Sequence, residues 1–432
     1  MNATGDVSGI SRRTVLRGSL GLLGMAGVAG LAGACTADEE DGPKKRDAAW
    51  TFDGGVYGGL TVDGGTVYVP TTGPDLLYAL DARTGDTRWS AKGGTSTGTE
   101  PDLVAVAGGT VFRVSQDGLV HAYRASDGKR LWRAGPLVEE GEPDRPFVLG
   151  SVLCVQLRAR SDEDGRVLEP GVLCGIDTAS GRVLWRTDMS WLFTPDPKRG
   201  VLFRSTPEGV AACDPATGRE RWRVPGARGA EAPAFALGPD TVHLVAGPKG
   251  NTRLYAYDAT GGAPRWDVPA LDGTITAAPD GRTVYLHDGR GRLHAHSAAD
   301  GRRTWTATTT APYARDEVVP YGGTILLSSG DSYHGEDGRQ LGDDRPGYVL
   351  AHSARTGKAL WRQDREQPSW TLPVPAGRLA LVGHDTAWWA YDIATGEPQW
   401  RLACDGAPAD DPVVRDGMLY GPNTEGVRAV RV

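Results

Sequence analysis

A chain of 432 residues, 39% of them hydrophobic and 23% charged, has apolar content for a large core, and length alone allows two or three domains. With 47 basic and 54 acidic residues the net charge is −7, which argues against a nucleic-acid binder and against broad adhesion to anionic lipid. The 61 glycines and 29 prolines fall at regular turn positions between apolar runs, which excludes low-complexity disorder.

In chain order, the first segment reads as an export signal. Arg12 and Arg13 form a twin arginine, followed by an uncharged run over residues 18–34 that is short for a membrane span. Leu31-Ala32-Gly33-Ala34-Cys35 resembles a lipoprotein box, so residues 1–35 are expected to be a twin-arginine signal whose Cys35 is lipidated and anchored to the outer leaflet of the cytoplasmic membrane. Ala32-Gly33-Ala34 also fits ordinary cleavage after Ala34, which gives secretion as the alternative, and an uncleaved anchor helix is a third. Without residues 1–34 the chain keeps 44 basic and 53 acidic residues, a net charge of −9 with no basic face in sight. Residues 36–47, which include Glu39, Glu40, Asp41, Lys44, Lys45 and Arg46, read as a polar tether.

From residue 48 onward one pattern recurs. A-x-D-x-x-T-G-x-x-x-W is complete at Ala79 to Trp89 and at Ala390 to Trp400; six variants lie between, ending in Trp132, Trp185, Trp222, Trp266, Trp305 and Trp361. The tryptophan always stands ten residues after the small residue, and successive tryptophans are separated by 43, 53, 37, 44, 39, 56 and 39 residues. Within the first unit, Leu60 to Val62, Thr66 to Val69, Leu76 to Asp81 and Thr87 to Ser90 are short runs rich in Val, Leu, Tyr and Thr, joined by Gly-containing turns. Four short antiparallel strands repeating every 40 residues or so predict propeller blades. The glycine permits the positive φ of a tight turn, and each tryptophan is expected on an outer strand, docked on the next blade with its indole N–H on that blade's backbone. Burying about 150–250 Å² at about 25 cal/mol/Å² gives an upper value of roughly 4–6 kcal/mol per dock.

These eight windows resemble the tryptophan-docking motif of the PQQ-like propeller repeat family, and the resemblance spans residues 48–432. It implies a single all-β propeller, usually of eight blades. Literal counting gives nine, because three strand-like runs follow Trp400 and the segment from Ala48 to Phe52 resembles the missing fourth strand, closing the ring. The family includes quinoprotein dehydrogenases, outer-membrane assembly lipoproteins of the BamB type and sensor domains of kinases. Departures from the motif are Arg124, Ser297 and Ser353 for the aspartate and Gly261 for the threonine.

Chemistry is sparser. A dehydrogenase of the family would need calcium held by Glu and Asn, an axial tryptophan and usually adjacent cysteines; the chain has no Cys-Cys and only Asn2, Asn251 and Asn423. Neither PQQ nor a metal is therefore expected, and no catalytic residue is assigned. His296 and His352, one residue after the motif alanine, read as packed residues; His294 and His296 on one strand face with His287 nearby do not make a site, and His384-Asp385 reads as a turn pair. Two insertions, 158–171 and 329–347, sit between second and third strands and carry acids; Tyr333 and His334 lie in the second. With Glu100, Asp316, Glu317, Trp370 and Asp411, expected at the axial mouth, they form the candidate ligand face. Cys154 and Cys174 lie on consecutive strands and read either as a cross-strand disulfide or as two buried thiols; Cys213 and Cys404 have no evident partner. The functional expectation is a monomeric, non-enzymatic, membrane-tethered module binding an unknown protein or cell-envelope ligand and no nucleic acid. A PQQ-dependent oxidoreductase and a propeller lyase or glycan-processing enzyme are the alternatives.

Overall fold

The computed structural model describes residues 43–56, 59–71, 75–92, 103–139, 141–158, 160–161, 167–169, 171–188, 192–206, 208–225, 234–247, 251–271, 273–288, 291–309, 318–329, 347–366, 369 and 371–432. All regular structure among them is strand, arranged as nine four-stranded antiparallel blades. The first blade is Thr61–Asp63, Thr66–Pro70, Asp75–Asp81 and Thr87–Lys92 in simple up-and-down order, and the next seven repeat it. The ninth takes Val413–Arg415, Met418–Asn423 and Gly426–Arg431 from the end of the chain and Trp50–Asp53 from its beginning. Literal counting was therefore right, and the ring closes where Trp50 pairs with Ala429 and Asp53 with Gly426.

First strands of adjacent blades touch, as Thr61–Asp63 does with both Leu103–Ala107 and Val413–Arg415, so they line the axis and the tryptophan strands form the outer wall. Turns between first and second and between third and fourth strands share one end of the ring, here the motif end. Turns between second and third strands and the links between blades share the other, the connection end.

Strand register explains the fixed ten-residue offset. In every blade the motif's small residue pairs directly with the tryptophan: Ala79 with Trp89, Ala212 with Trp222, Ala390 with Trp400. In the third blade it is Gly175, and a Cβ there would stand 2.2 Å from Trp185 Nε1. A bulge follows at once between third and fourth strands, and the aspartate then caps the turn: Asp81 Oδ1 accepts from the N–H of Arg83 (2.9 Å) and Thr84 (3.0 Å). Burial is greatest in the second and third strands of each blade, intermediate in the axial first strands and least in the outer fourth strands. Apolar clusters are shared by neighbouring blades, for example Phe112 and Val114 with Leu153 and Val155, so each blade needs its neighbour to cover its face.

Two additions depart from the plain repeat. The insertion after Val152–Arg158 carries a small hairpin, Arg160–Ser161 with Val167–Glu169. The expected tether also ends earlier than residue 47: Lys44–Lys45 form a strand parallel to Trp400–Arg401 on the outer edge of the eighth blade.

Candidate functional site

Eight tryptophans donate their indole N–H to a backbone carbonyl of the next blade. Trp89 Nε1 donates to Ala125 O (2.8 Å), Trp132 to Thr178 O (2.9 Å), Trp185 to Pro215 O (2.7 Å), and Trp222 to Thr260 O (2.7 Å). Trp266 reaches Ala298 O, Trp305 Ala354 O and Trp361 Ile393 O, while Trp50 of the split blade donates to Ala82 O (3.1 Å). Each indole covers the motif glycine of the next blade. At Gly181, for example, φ is 73° and a Cβ would meet the Trp132 ring at 2.6 Å, so the glycine serves both turn and dock. Trp400 is the exception. Its indole N–H has no acceptor, since the ninth motif turn is the gap between the chain's two ends, and Arg46 stacks over its ring at 5.0 Å instead. Docking thus fixes the motif end.

Where the motif aspartate is replaced by Ser297 and Ser353, a histidine strengthens the turn: His296 Nδ1 donates to Gly301 O (2.9 Å) and His352 Nδ1 to Gly357 O (2.8 Å). Burial drives His121, His243 and His294 down to about 4 and His384 down to about 3, so these imidazoles are neutral packing groups. The thiols are equally inert. Cys154 pairs with Gly175 and Cys174 with Val155, a one-residue offset that points the two cysteines to opposite faces of the blade. Both are free and buried, with pKa values pushed up to about 12 and about 11 by burial, so of the two readings the structure shows the buried thiols.

Of the expected ligand face, Glu100, Asp316, Glu317, Tyr333, His334 and Trp370 lie outside the described residues, as does Cys35. Asp411 is described and sits at the connection end. Its Oδ1 accepts from Leu372 N (3.0 Å), and its own N–H donates to Asp410 Oδ1 (2.7 Å). The link before Leu372 is deeply buried: Ser369 Oγ donates to Thr371 O (2.8 Å), Ser328 Oγ also reaches Thr371 O (3.1 Å), and Gly383 N donates to Thr371 Oγ1 (2.9 Å). The structure brings in two residues that sequence reasoning missed. Arg145, from the link between blades two and three, and Asp410 both come within 3 Å of where a Cβ of Gly59 would stand. Gly59 was the available signal, because only a residue without a side chain admits both groups.

A second unforeseen cluster lies between blades seven and eight. Arg365 donates to Tyr391 Oη (2.7 Å) and stacks over Trp389 at 4.4 Å, and the fully buried His384 packs edge-on against Tyr391. It is built of donors and suits packing. No three His, Cys, Asp or Glu side chains among the described residues gather as metal ligands. Asn423 is fully buried, and its Oδ1 accepts from Glu425 N (3.0 Å).

Charge is distributed unevenly between the ends. Exposed Asp53, Glu139, Glu208, Glu366, Asp405 and Glu425 stand at the connection end together with Arg145 and Arg292; exposed Lys129, Arg182, Lys198, Arg355, Lys358 and Arg415 stand at the motif end, where Asp63, Asp86, Asp127, Asp240, Asp280, Asp300, Glu397 and Asp416 are exposed as well.

The family model described as outer membrane protein assembly factor BamB matches residues 38–191, 206–339 and 345–430, and the chain belongs to that family. It is 26% identical to BamB of Burkholderia pseudomallei over 86% of each chain. To the serine/threonine-protein kinase AfsK of Streptomyces coelicolor it is 27% identical over 39% of this chain, spanning 28% of the kinase's length. The crystal structure of BamB from Moraxella catarrhalis matches with a TM-score of 0.52 over 88% of this chain and 98% of that one, at 17% identity, a likeness of fold.

Proposed function

We propose that this propeller is a non-catalytic recognition module of the cell envelope, exported by the twin-arginine route, tethered through a lipid on Cys35, and binding a protein partner with its acidic connection end. The observation that supports this most is the construction of that end. Its exposed carboxylates stand on links held by buried hydrogen bonds, as at Ser369, Thr371 and Asp411, which gives a rigid acidic rim suited to a basic protein segment. Among the described residues the seven histidines and four thiols, the usual proton carriers and nucleophiles, are buried inside blades instead. The assembly-factor role in the relatives' name agrees with a protein partner. This reading involves neither PQQ nor a metal.

The test is a pull-down from solubilised membranes with the intact lipidated chain, beside a chain lacking residues 331–345 and a Glu208→Gln/Glu366→Gln/Glu425→Gln chain. A partner retained at low salt and weakened by neutralising the carboxylates is the expected result. Dye reduction by the chain loaded with PQQ and calcium would replace this reading with a dehydrogenase.

A further inference from the structure

We infer that the motif end is a contact surface for an anionic lipid bilayer, so that the propeller stands on the membrane with its acidic connection end turned away. Three independent observations converge. The first is where the chain enters: Lys44–Lys45 run parallel to Trp400–Arg401, and that strand rises from the motif turn at 393–397 toward the connection end. Residue 43, where the described chain begins, therefore lies on the motif-end side of this strand. The entry is pinned by Arg46, whose N–H donates to Arg401 O (2.9 Å) and whose guanidinium bonds Arg431 O while covering Trp400.

The second is charge. Lys44, Lys45, Arg46 and Arg431 surround the entry and outnumber the exposed Asp47 and Glu397 beside it, and Arg355 and Lys358 extend the basic surface along the seventh motif turn. The third is apolar exposure. Four large hydrophobic side chains are exposed among the described residues, Leu131, Val183, Tyr321 and Leu360, and all four lie at the motif end. Val183 opens its outer strand, Leu131 and Leu360 are second in theirs, and Tyr321 ends a first strand beside the Gly322-Gly323 turn. Scattered exposed apolar residues need no explanation; all on one end, among lysines and arginines, they have the composition of a surface that meets headgroups.

The orientation rests on the tethered reading proposed above, but lipid contact is testable without the acyl chain. The exported, processed chain carrying Cys35→Ser is sedimented with phosphatidylglycerol–phosphatidylcholine vesicles and with phosphatidylcholine alone. Binding should require phosphatidylglycerol and weaken with salt. A basic residue near an anionic surface contributes about 1 kcal/mol, so Arg355→Gln/Lys358→Gln should lower partitioning by roughly 20–30-fold, and Tyr321→Ser/Leu360→Ser should lower it further. Glu366→Gln/Glu425→Gln, at the other end, should leave it unchanged. Equal binding to both vesicle types, or loss with the connection-end variants and not with the motif-end ones, would overturn the inference. Mass spectrometry of the mature N-terminus of the unsubstituted protein reports on Cys35 acylation separately, so a missing anchor and a missing lipid surface give different results.

Discussion

Trp50→Ala removes the ninth dock, the one whose two halves lie at opposite ends of the chain. Trp50 is 7% exposed, donates its indole N–H to Ala82 O at 3.1 Å, covers Gly85, and packs against Tyr420 with ring centroids 5.8 Å apart. Truncation of a buried tryptophan leaves a cavity, while Ala82 O keeps the Tyr420 hydroxyl as donor (3.0 Å), for a loss of about 3–5 kcal/mol. Trp222→Ala is the control, because Trp222 makes the same dock but is more exposed and lies inside an uninterrupted stretch of chain. Urea unfolding at fixed pH should therefore show Trp50→Ala costing as much as Trp222→Ala or more, with an unchanged slope against denaturant. Were Trp50→Ala to cost less than about 1 kcal/mol while Trp222→Ala costs several, the N-terminal strand would not close the ring.

Three further outcomes follow from the same geometry. His121, His243, His294 and His384 have folded pKa values of about 3 to 4, below the ordinary 6.5, so their contribution is complete above pH 6.5 and is lost as pH falls toward 4. Each can remove up to about 1.4 kcal/mol per pH unit across that window. The cap carboxylates Asp81 and Asp258, held near 2 by Arg88 and Arg265, act only below about pH 4, so melting temperatures that stay level from pH 7 to 5 would contradict the buried-histidine account. Gly150→Ala and Gly181→Ala both place a side chain at positive φ, 61° and 73°, but only at Gly181 does the Cβ meet an indole; the first should cost about 1–2 kcal/mol and the second clearly more, and equal thermal shifts would remove the glycine from the dock. Reductant should leave the melting temperature unchanged, and Cys154, Cys174, Cys213 and Cys404 should react with a thiol reagent only on unfolding; rapid labelling of the native protein would show the thiols to be open.

The repeat was legible because its spacing is enforced by contact. A small residue faces each indole across the sheet, and a bulge and a capped turn separate them by a fixed ten residues, so any slip would break the dock. The ninth copy was harder to see for a topological reason: its small residue is Ala429 and its tryptophan is Trp50. The disulfide reading failed on register, since consecutive strands can bring Cys154 and Cys174 close while a one-residue offset turns them to opposite faces. Net charge concealed the two ends because it averages them. Period-two strands and alternating turns send successive loops to opposite ends, so the uneven distribution of charge appears only once blades are assigned. Arg145 and Asp410 were missed because their approach links segments far apart in sequence, with Gly59 as the one local trace.

Splitting a blade between the termini has a consequence at Trp400. Seven other repeat tryptophans and Trp50 find a backbone carbonyl in the next blade's motif turn; the blade after Trp400 has chain ends in place of that turn. An indole N–H buried without an acceptor costs about 1–3 kcal/mol, so the closing seam begins at a disadvantage relative to the other eight. Arg46 offsets part of this. Its guanidinium stacks on the indole face while bonding Arg431 O at the far end of the chain, and Lys44–Lys45 pair with the strand that carries Trp400. The segment that precedes the first blade strand thus occupies the place of the absent turn, and within the ninth blade Arg428 joins the two termini by binding Asp53 (3.0 Å). A ring closed in this way depends for its stability on residues 44–53, which supply both the fourth strand of the ninth blade and the cover over Trp400.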